Sequence, residues 1–146
     1  MRNQKGITLI ALVVTIIVLL ILAGVTITYV LADGGIFGRA QDTARAADEG
    51  ALRDYISLAK VDVLAAHYDT SVTTRENGAL TADAVKGIIE ANIPASAFTS
   101  VTVSATADTS GKVTGTVTAT GVKSGKVFTY ALDTDVVTAS DPATST

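Results

Sequence analysis

Residues 7–32 read ITLIALVVTIIVLLILAGVTITYVLA and carry no charged side chain. The rest of the 146-residue chain holds all 14 acidic residues, all 11 basic residues and the single histidine. A helix of about 25 residues spans about 37 Å, whereas the hydrocarbon core of a bilayer is about 30 Å thick. The sequence therefore predicts one helix over residues 7–32 that crosses a membrane with some tilt.

The charges that flank this apolar run predict its orientation. Arg2 and Lys5 stand on the short N-terminal side, and Asp33 opens the other side. Positive flanks of a membrane helix stay on the cytoplasmic side. We therefore expect a single-pass protein with its N-terminus inside and the remaining chain outside the cytoplasm.

Three outcomes of processing are open for this segment. Val30 and Ala32 satisfy the small-residue rule of a secretory signal that is cut after Ala32, but the apolar run is longer than the usual 7 to 15 residues or so. An uncleaved anchor requires only the apolar run. The third outcome is a cut before the run, where Lys5 and Gly6 directly precede Ile7.

The sequence KGITLIALVV at residues 5–14 resembles the class III leader of type IV prepilins, in which a short basic peptide ends in Gly directly before the hydrophobic helix. The resemblance implies that residues 1–6 are a leader, that a prepilin peptidase cuts between Gly6 and Ile7, and that the new amine can be methylated. The helix is then kept and forms a filament core. The residues expected to pack in that core are Ile7, Leu9, Ile10, Leu12, Val13, Ile16, Ile17 and Leu20.

Two positions depart from the pattern of that family. Its members usually begin the mature chain with Phe and have Glu as the fifth residue, whereas this chain has Ile7 and Ala11 there. The Glu is thought to neutralise the terminal amine of a neighbouring subunit, and an unpaired charge in hydrocarbon is costly. The sequence alone leaves open whether the chain is a major or an accessory pilin.

Residues 33–38 predict a break after the apolar helix. Gly34 and Gly35 are adjacent, and each glycine costs about 1 kcal/mol in a helix interior. An amphipathic helix is predicted over residues 36–67 by apolar residues at steps of three and four. The stripe expected to face the protein's own sheet is Phe37, Ala40, Ala44, Ala47, Ala51, Tyr55, Leu58, Ala59 and Val63. The face expected to meet solvent carries Arg39, Asp42, Arg45, Asp48, Glu49 and Arg53.

The remaining pattern predicts a small globular head over residues 39–137. Residues 68–78 are polar and predict a loop, residues 81–92 predict a short helix, and a period of two predicts three strands within residues 98–137, or four with Val136 and Val137. The fold class is α+β: a long N-terminal helix, hydrophobic and then amphipathic, packs on a small antiparallel sheet, as in pilins. The Ser/Thr-rich residues 138–146 predict a flexible tail.

The search for reactive chemistry finds no phosphate loop, zinc-ligand spacing, dinucleotide fingerprint or nucleophile elbow. The chain has no Cys, and the lone His67 has no second ligand of its kind. Asp133, Asp135 and Asp141 lack the Gly and terminal Glu of a recognised calcium loop, which favours turn carboxylates. We therefore predict no catalytic residue, no cofactor and no metal. Without Arg2 and Lys5, which the leader carries, 9 basic residues stand against 14 acidic ones, and a net charge of −5 disfavours nucleic acid as a partner.

These patterns together predict a structural protein rather than an enzyme. Our interpretation is that the chain is a subunit of a type IV pilus-like extracellular filament. The subunit is inserted in the membrane as a precursor, is trimmed after Gly6 and is assembled into a homo-oligomer by the pilus machinery. The alternative is an accessory pilin or a membrane-anchored binding module for adhesion, DNA uptake or secretion. A soluble secreted domain that is cut after Ala32 is a further alternative.

Overall fold

The computed structural model describes residues 3–32 and 34–143 and divides into two compact units, Met1–Asp42 and Thr43–Thr146. The predictions on Arg2 and Asp33, and on the last three residues of the tail, lie outside the described residues. The first unit contains helix α1 and the start of helix α2. The second unit contains the rest of α2 and everything that follows it.

The first unit is built on α1 (Asn3–Leu31), which ends shortly before α2 (Ile36–Tyr68) begins. Between the two helices the chain makes a turn in which the Gly35 amide donates to the Ala32 carbonyl at 2.7 Å. The β-branched residues near the end of α1 have poor helix propensity in water, so the helix depends on an apolar environment.

The second unit continues from α2 into a short hairpin, a helix and four strands. Their bounds are β1 (Arg75–Glu76), β2 (Ala79–Leu80), α3 (Ala82–Asn92), β3 (Phe98–Ala107), β4 (Val113–Gly121), β5 (Val127–Ala131) and β6 (Val136–Ser140). Thr81 is the N-cap of α3, and its hydroxyl accepts from the Ala84 amide. The four long strands form one antiparallel sheet in the order β3-β4-β5-β6. The α+β, pilin-like fold class is confirmed.

Two local features differ from the sequence-based expectation. The predicted loop over residues 68–78 contains β1 and the start of a hairpin, because Asn77 and Gly78 both adopt positive φ, as a tight two-residue hairpin turn requires. Residues 138–140, expected to begin the tail, belong to β6 and pair with β5, with Thr138 opposite Thr129. The alternating sequence of Val136–Ser140 continues the sheet beyond the two valines that were predicted.

The buried face of α2 coincides only in part with the stripe that the sequence predicted, from which Ala51 and Tyr55 are half-buried against the core. The residues that α2 buries against the sheet are Asp48, Leu52, Ile56, Ala59, Val63 and His67. Only Ala59 and Val63 belong to the expected inner stripe, whereas Ala47 and Leu58 are exposed. Asp48, expected on the charged outer face, is buried. The bulkier Leu52 and Ile56 bury more apolar area than the alanines do, and that gain selects the face.

The core of the second unit lies between this face of α2, helix α3 and one face of the sheet. Its largest fully buried side chains are Phe98, Phe128, Leu52, Ile56, Ile89, Leu132, Val63, Val85 and Val117. Phe98 contacts Phe128 and Tyr55 edge-on, with ring centroids 6.5 and 6.3 Å apart. Aromatic edge-to-face pairs at such distances stabilise a core beyond their buried area.

Candidate functional site

The predicted cleavage position lies inside a helix. α1 begins at Asn3, so Gly6 and Ile7 both have helical backbone. Ile7 is 65% exposed, and no atom lies within 4 Å of where a Cβ on Gly6 would stand. The bond between these residues is therefore open to an approaching protein in the described part of the chain.

Every side chain that the resemblance assigns to a filament core is exposed to its surroundings. These eight residues, at positions 7, 9, 10, 12, 13, 16, 17 and 20, have between 47% and 67% of their surface accessible. They cover somewhat more than half of the circumference of α1, and four further exposed residues, Val14, Val18, Leu19 and Leu22, cover the rest. A helix that is apolar on all sides is stable only in lipid or among other apolar helices. Among the described residues, this is the one helix long and apolar enough to cross a membrane.

The threonines of α1 are adapted to an apolar environment. The hydroxyls of Thr15, Thr26 and Thr28 donate to the carbonyls of Leu12, Leu22 and Gly24, at 2.8, 2.7 and 2.9 Å. A hydroxyl in hydrocarbon is costly unless it has a hydrogen-bond partner. These bonds to the preceding turn supply that partner, so polar residues in the apolar run do not argue against a membrane or a helical bundle around it.

The two glycines of the predicted break occupy different environments. A Cβ on Gly34 would meet nothing within 4 Å. A Cβ on Gly35 would stand 2.3 Å from the Tyr29 carbonyl oxygen and 2.9 Å from that of Val30. Only glycine fits at Gly35 without moving the end of α1.

A second apolar surface lies on the part of α2 that belongs to the second unit. We call it the α2 stripe, and its large members are Leu58, Val61, Leu64 and Tyr68, which are between 43% and 71% exposed. With Ala65, the positions 58, 61, 65 and 68 follow steps of three and four, the spacing of a helix–helix seam. The sequence-based prediction assigned Leu58 to the buried face and missed the other three. The seven-residue repeat could have identified them.

Hydrogen bonds and an ion pair join the turn between β5 and β6 to α2. The Lys60 amine donates to the Leu132 carbonyl at 2.7 Å and pairs with Asp135, whose carboxylate also accepts from the Tyr130 hydroxyl at 2.7 Å. The Arg53 guanidinium donates to the Asp135 carbonyl at 2.9 Å. Hydrogen bonds from Lys60 and Tyr130 lower the pKa of Asp135. Burial, followed by the bond to Asp135, raises the pKa of Tyr130 to about 12.

The carboxylates considered for calcium are engaged elsewhere. Asp135 pairs with Lys60, and Asp141 pairs with Lys126. Within residues 3–32 and 34–143, no group of three or more His, Asp or Glu side chains is arranged to hold a metal ion. His67 is buried, and its Nδ1 has no hydrogen-bond partner in the described part of the chain. Its ring packs edge-on against Tyr68, which is a structural contact.

Comparison with known families gives one match. The model of the prokaryotic N-terminal methylation motif matches residues 1–27. No curated protein and no solved structure is significantly similar to the chain. The match covers Gly6 and the first 21 residues of the apolar run, and it indicates a prepilin that a prepilin peptidase processes. Residues 1–27 of this chain are thus a prokaryotic N-terminal methylation motif, the class III signal peptide of type IV pilins.

Proposed function

We propose that this chain is a structural subunit of a type IV pilus-like extracellular filament. The precursor inserts as a single-pass protein with its N-terminus inside, and a prepilin peptidase cuts it between Gly6 and Ile7. The helix is retained, and subunits polymerise through it with the sheet-bearing unit on the outside. Each subunit contacts the next in the same way, which produces an open helical polymer.

The observation that supports polymerisation, rather than membrane anchoring alone, is the α2 stripe. A bilayer core accommodates about 20 helical residues, which residues 7–32 already supply. The stripe begins at Leu58, 26 residues after Ala32, so the lipid around the apolar run does not account for it. Seam spacing and exposure together favour contact with a helix of another copy.

The hydrophobic effect supplies the driving force for this assembly. Fully burying one large apolar side chain contributes roughly 1.5–3 kcal/mol. In lipid, the side chains of α1 gain little from contact with each other, but extraction from the membrane would expose them to water. Packing α1 and the α2 stripe of several copies together removes both surfaces from water at once. The charged turns of the second unit stay hydrated.

An accessory pilin or a membrane-anchored binding module remains the alternative function. Ala11 favours it, because the carboxylate that would pair with a neighbouring amine is absent. An accessory pilin shares the leader and the helix but enters filaments in few copies. Counting this chain against the other subunits in purified filaments separates the two functions.

A charge substituted into the α2 stripe tests the proposal. Val61→Lys places a charge in the centre of the proposed seam, and Thr70→Lys places the same charge on an exposed loop residue as a matched control. We expect sheared surface filaments to contain wild type and Thr70→Lys, and to lose most of the Val61→Lys chain while its membrane-bound precursor stays at the wild-type level. Equal recovery of both variants, or no filament containing wild type, would overturn the proposal.

A further inference from the structure

One charged residue continues the otherwise uncharged seam of the α2 stripe. Asp54 precedes Leu58 by four residues and so extends the steps of four and three that Leu58, Val61, Ala65 and Tyr68 follow. Its side chain is exposed, on the side of α2 that faces away from the sheet. A polar residue at a single seam position fixes the register of packed helices and selects their partner.

Asp54 has no counter-charge among residues 3–32 and 34–143, where its carboxylate takes part in no hydrogen bond or ion pair. The adjacent Arg53 is turned toward Glu49, with which it pairs at 3.1 Å, and toward the Asp135 carbonyl. None of the residues three and four positions away on α2 is charged: they are Gly50, Ala51, Ser57 and Leu58. A carboxylate that enters an interface without a partner is costly, so a helix that covers the stripe must bring a cation.

The charges of the chain decide which segment of a second copy fits. A second α2 stripe brings only another Asp54, so two stripes packed together would place like charges in one seam. Elsewhere on α2, Arg39 already has a partner in its own chain, and Arg45 stands nine residues before Asp54, on the opposite side of the helix. Residues 7–32 carry no charged side chain, and the cut proposed above gives them one cation, the amine of Ile7.

We propose that the α2 stripe binds the first turns of α1 of a second copy, with the Asp54 carboxylate paired with the Ile7 amine of that copy. The amine needs such a partner as much as the carboxylate does, because residues 7–32 contain no acid. The pair neutralises both charges that the seam would otherwise bury alone. This inference rests on the proposed function, since the amine exists only after the cut between Gly6 and Ile7.

The ion pair fixes a register between the two helices. Every copy inserts with its N-terminus inside, and in this orientation both helices lead away from the cytoplasm, so α1 of one copy and α2 of the other run parallel. Ala11 lies about one turn after Ile7, and Leu58 lies about one turn after Asp54. Pairing of Ile7 with Asp54 therefore places Ala11 of one copy beside Leu58 of the other.

Removal of the carboxylate tests the ion pair. Asp54→Asn keeps the size of the side chain without its charge, and Asp83→Asn makes the same change at an exposed residue of α3 as a matched control. We expect the Asp54→Asn chain in sheared surface filaments to fall at least about tenfold, because the amine is then buried without a partner, while the membrane-bound precursor stays at the wild-type level. Asp54→Glu and Asp83→Asn should be recovered as wild type is. Wild-type recovery of Asp54→Asn would overturn the pairing.

Cysteine cross-linking tests the register, and the chain has no Cys of its own. A disulfide requires Cα atoms within about 7 Å of each other. Under mild oxidation, filaments of the chain with Ala11→Cys and Leu58→Cys should therefore yield a ladder of linked copies, whereas Ala11→Cys with Thr70→Cys should stay unlinked. Filaments that contain the first pair without a cross-link would overturn the proposal. A link that Leu58→Cys forms only with Ala40→Cys would also overturn it, by assigning the stripe to the start of another α2.

Failure of this pairing is distinguishable from failure of the filament. If filaments contain wild type and Asp54→Asn equally but lose Val61→Lys, the stripe is an interface and its pairing with the amine is wrong. If no filament contains wild type, the proposed function and this inference are both wrong. Unfolding of Asp54→Asn in detergent should match that of wild type, which excludes misfolding as the cause of a loss.

Discussion

At the scale of single residues, Asp48 illustrates how a polar side chain fixes the fold. Its carboxylate is buried and accepts from the Ser124 amide at 2.8 Å and the Ser124 hydroxyl at 2.7 Å. It also abuts Gly121, where a Cβ would stand 2.2 Å from its Oδ2. The side chain thus connects α2 to the turn between β4 and β5, and no larger residue than glycine fits opposite it.

Replacing this carboxylate should destabilise the second unit. Asp48→Ala removes a buried carboxylate and leaves the half-buried Ser124 amide without its acceptor, and we expect a loss of about 2 kcal/mol in the free energy of unfolding. Urea denaturation of the full chain in detergent, monitored by circular dichroism, measures this free energy. Asp54→Ala removes an exposed carboxylate from the same helix and should cost less than about 0.5 kcal/mol. Equal effects of the two substitutions would contradict the role assigned to Asp48.

The two adjacent glycines provide a second prediction at this scale. Gly35→Ala should disturb the turn between α1 and α2, because the added Cβ collides with carbonyl oxygens at the end of α1. We expect amide hydrogen exchange over residues 32–39 to become at least about tenfold faster, which corresponds to about 1.4 kcal/mol. Gly34→Ala meets open space and should leave exchange unchanged or slower. The same response from both variants would show that close packing at Gly35 is unimportant.

At the scale of elements, α2 carries two apolar faces with different uses. The period of the sequence predicts an amphipathic helix correctly but does not decide which face its own sheet covers. The alanine-rich face and the Leu52 and Ile56 face are both periodic, and the larger apolar area that Leu52 and Ile56 bury distinguishes them. Turns and strands were largely predictable from their Gly positions and alternation. The hairpin around Asn77 was missed although Asn-Gly is a strong turn signal.

Of the candidate site, the sequence predicts the leader and the apolar run but not the contacts between distant residues. The leader and the apolar run are contiguous in the chain, so the residues around Gly6 and Ile7 can be identified by sequence alone. The contacts of Lys60 with Tyr130 and with Asp135 join residues that are 70 and 75 positions apart, and a single sequence contains no signal for such pairing.

Burial of Tyr130, followed by its hydrogen bond to Asp135, raises the pKa of this tyrosine and makes the stability of the second unit depend on alkaline pH. The unfolded chain releases the Tyr130 proton near its ordinary pKa of 10.0, whereas the folded chain keeps it until about 12. The folded state therefore binds more protons in this window, and the free energy of unfolding falls as pH rises from 10 to 12, by up to about 3 kcal/mol. Below pH 10 this contribution is fully present.

Tyr130→Phe removes the titrating hydroxyl while keeping the ring in the core. We expect the variant to be less stable than wild type at pH 8, and the difference between the two to shrink as pH rises from 10 to 12. Denaturation midpoints of both proteins across this range measure the difference. The other tyrosines and the lysines titrate in both proteins, so their contributions cancel. A difference that stays constant with pH would rule out the raised pKa of Tyr130.

At the scale of the whole molecule, the chain combines an apolar helix that water does not tolerate with a hydrated sheet-bearing unit. The methylation motif over residues 1–27 indicates a prepilin. In the function that we propose, one chain occupies both environments, first in a membrane and then in a polymer. The α2 stripe extends the apolar contact beyond the length that a bilayer requires. The proposed filament therefore accounts for the exposed α2 stripe, which an anchor or a secreted domain would leave unexplained.

Intact mass and N-terminal sequencing of the chain from sheared surface filaments test this account most directly. We predict a chain that begins at Ile7, with or without one added methyl group, so that the leader is lost and the apolar helix is kept. A chain that begins at Met1 would identify an uncleaved anchor, and one that begins at Asp33 would identify a secreted domain. Either result would contradict the proposal that this helix forms the core of a filament.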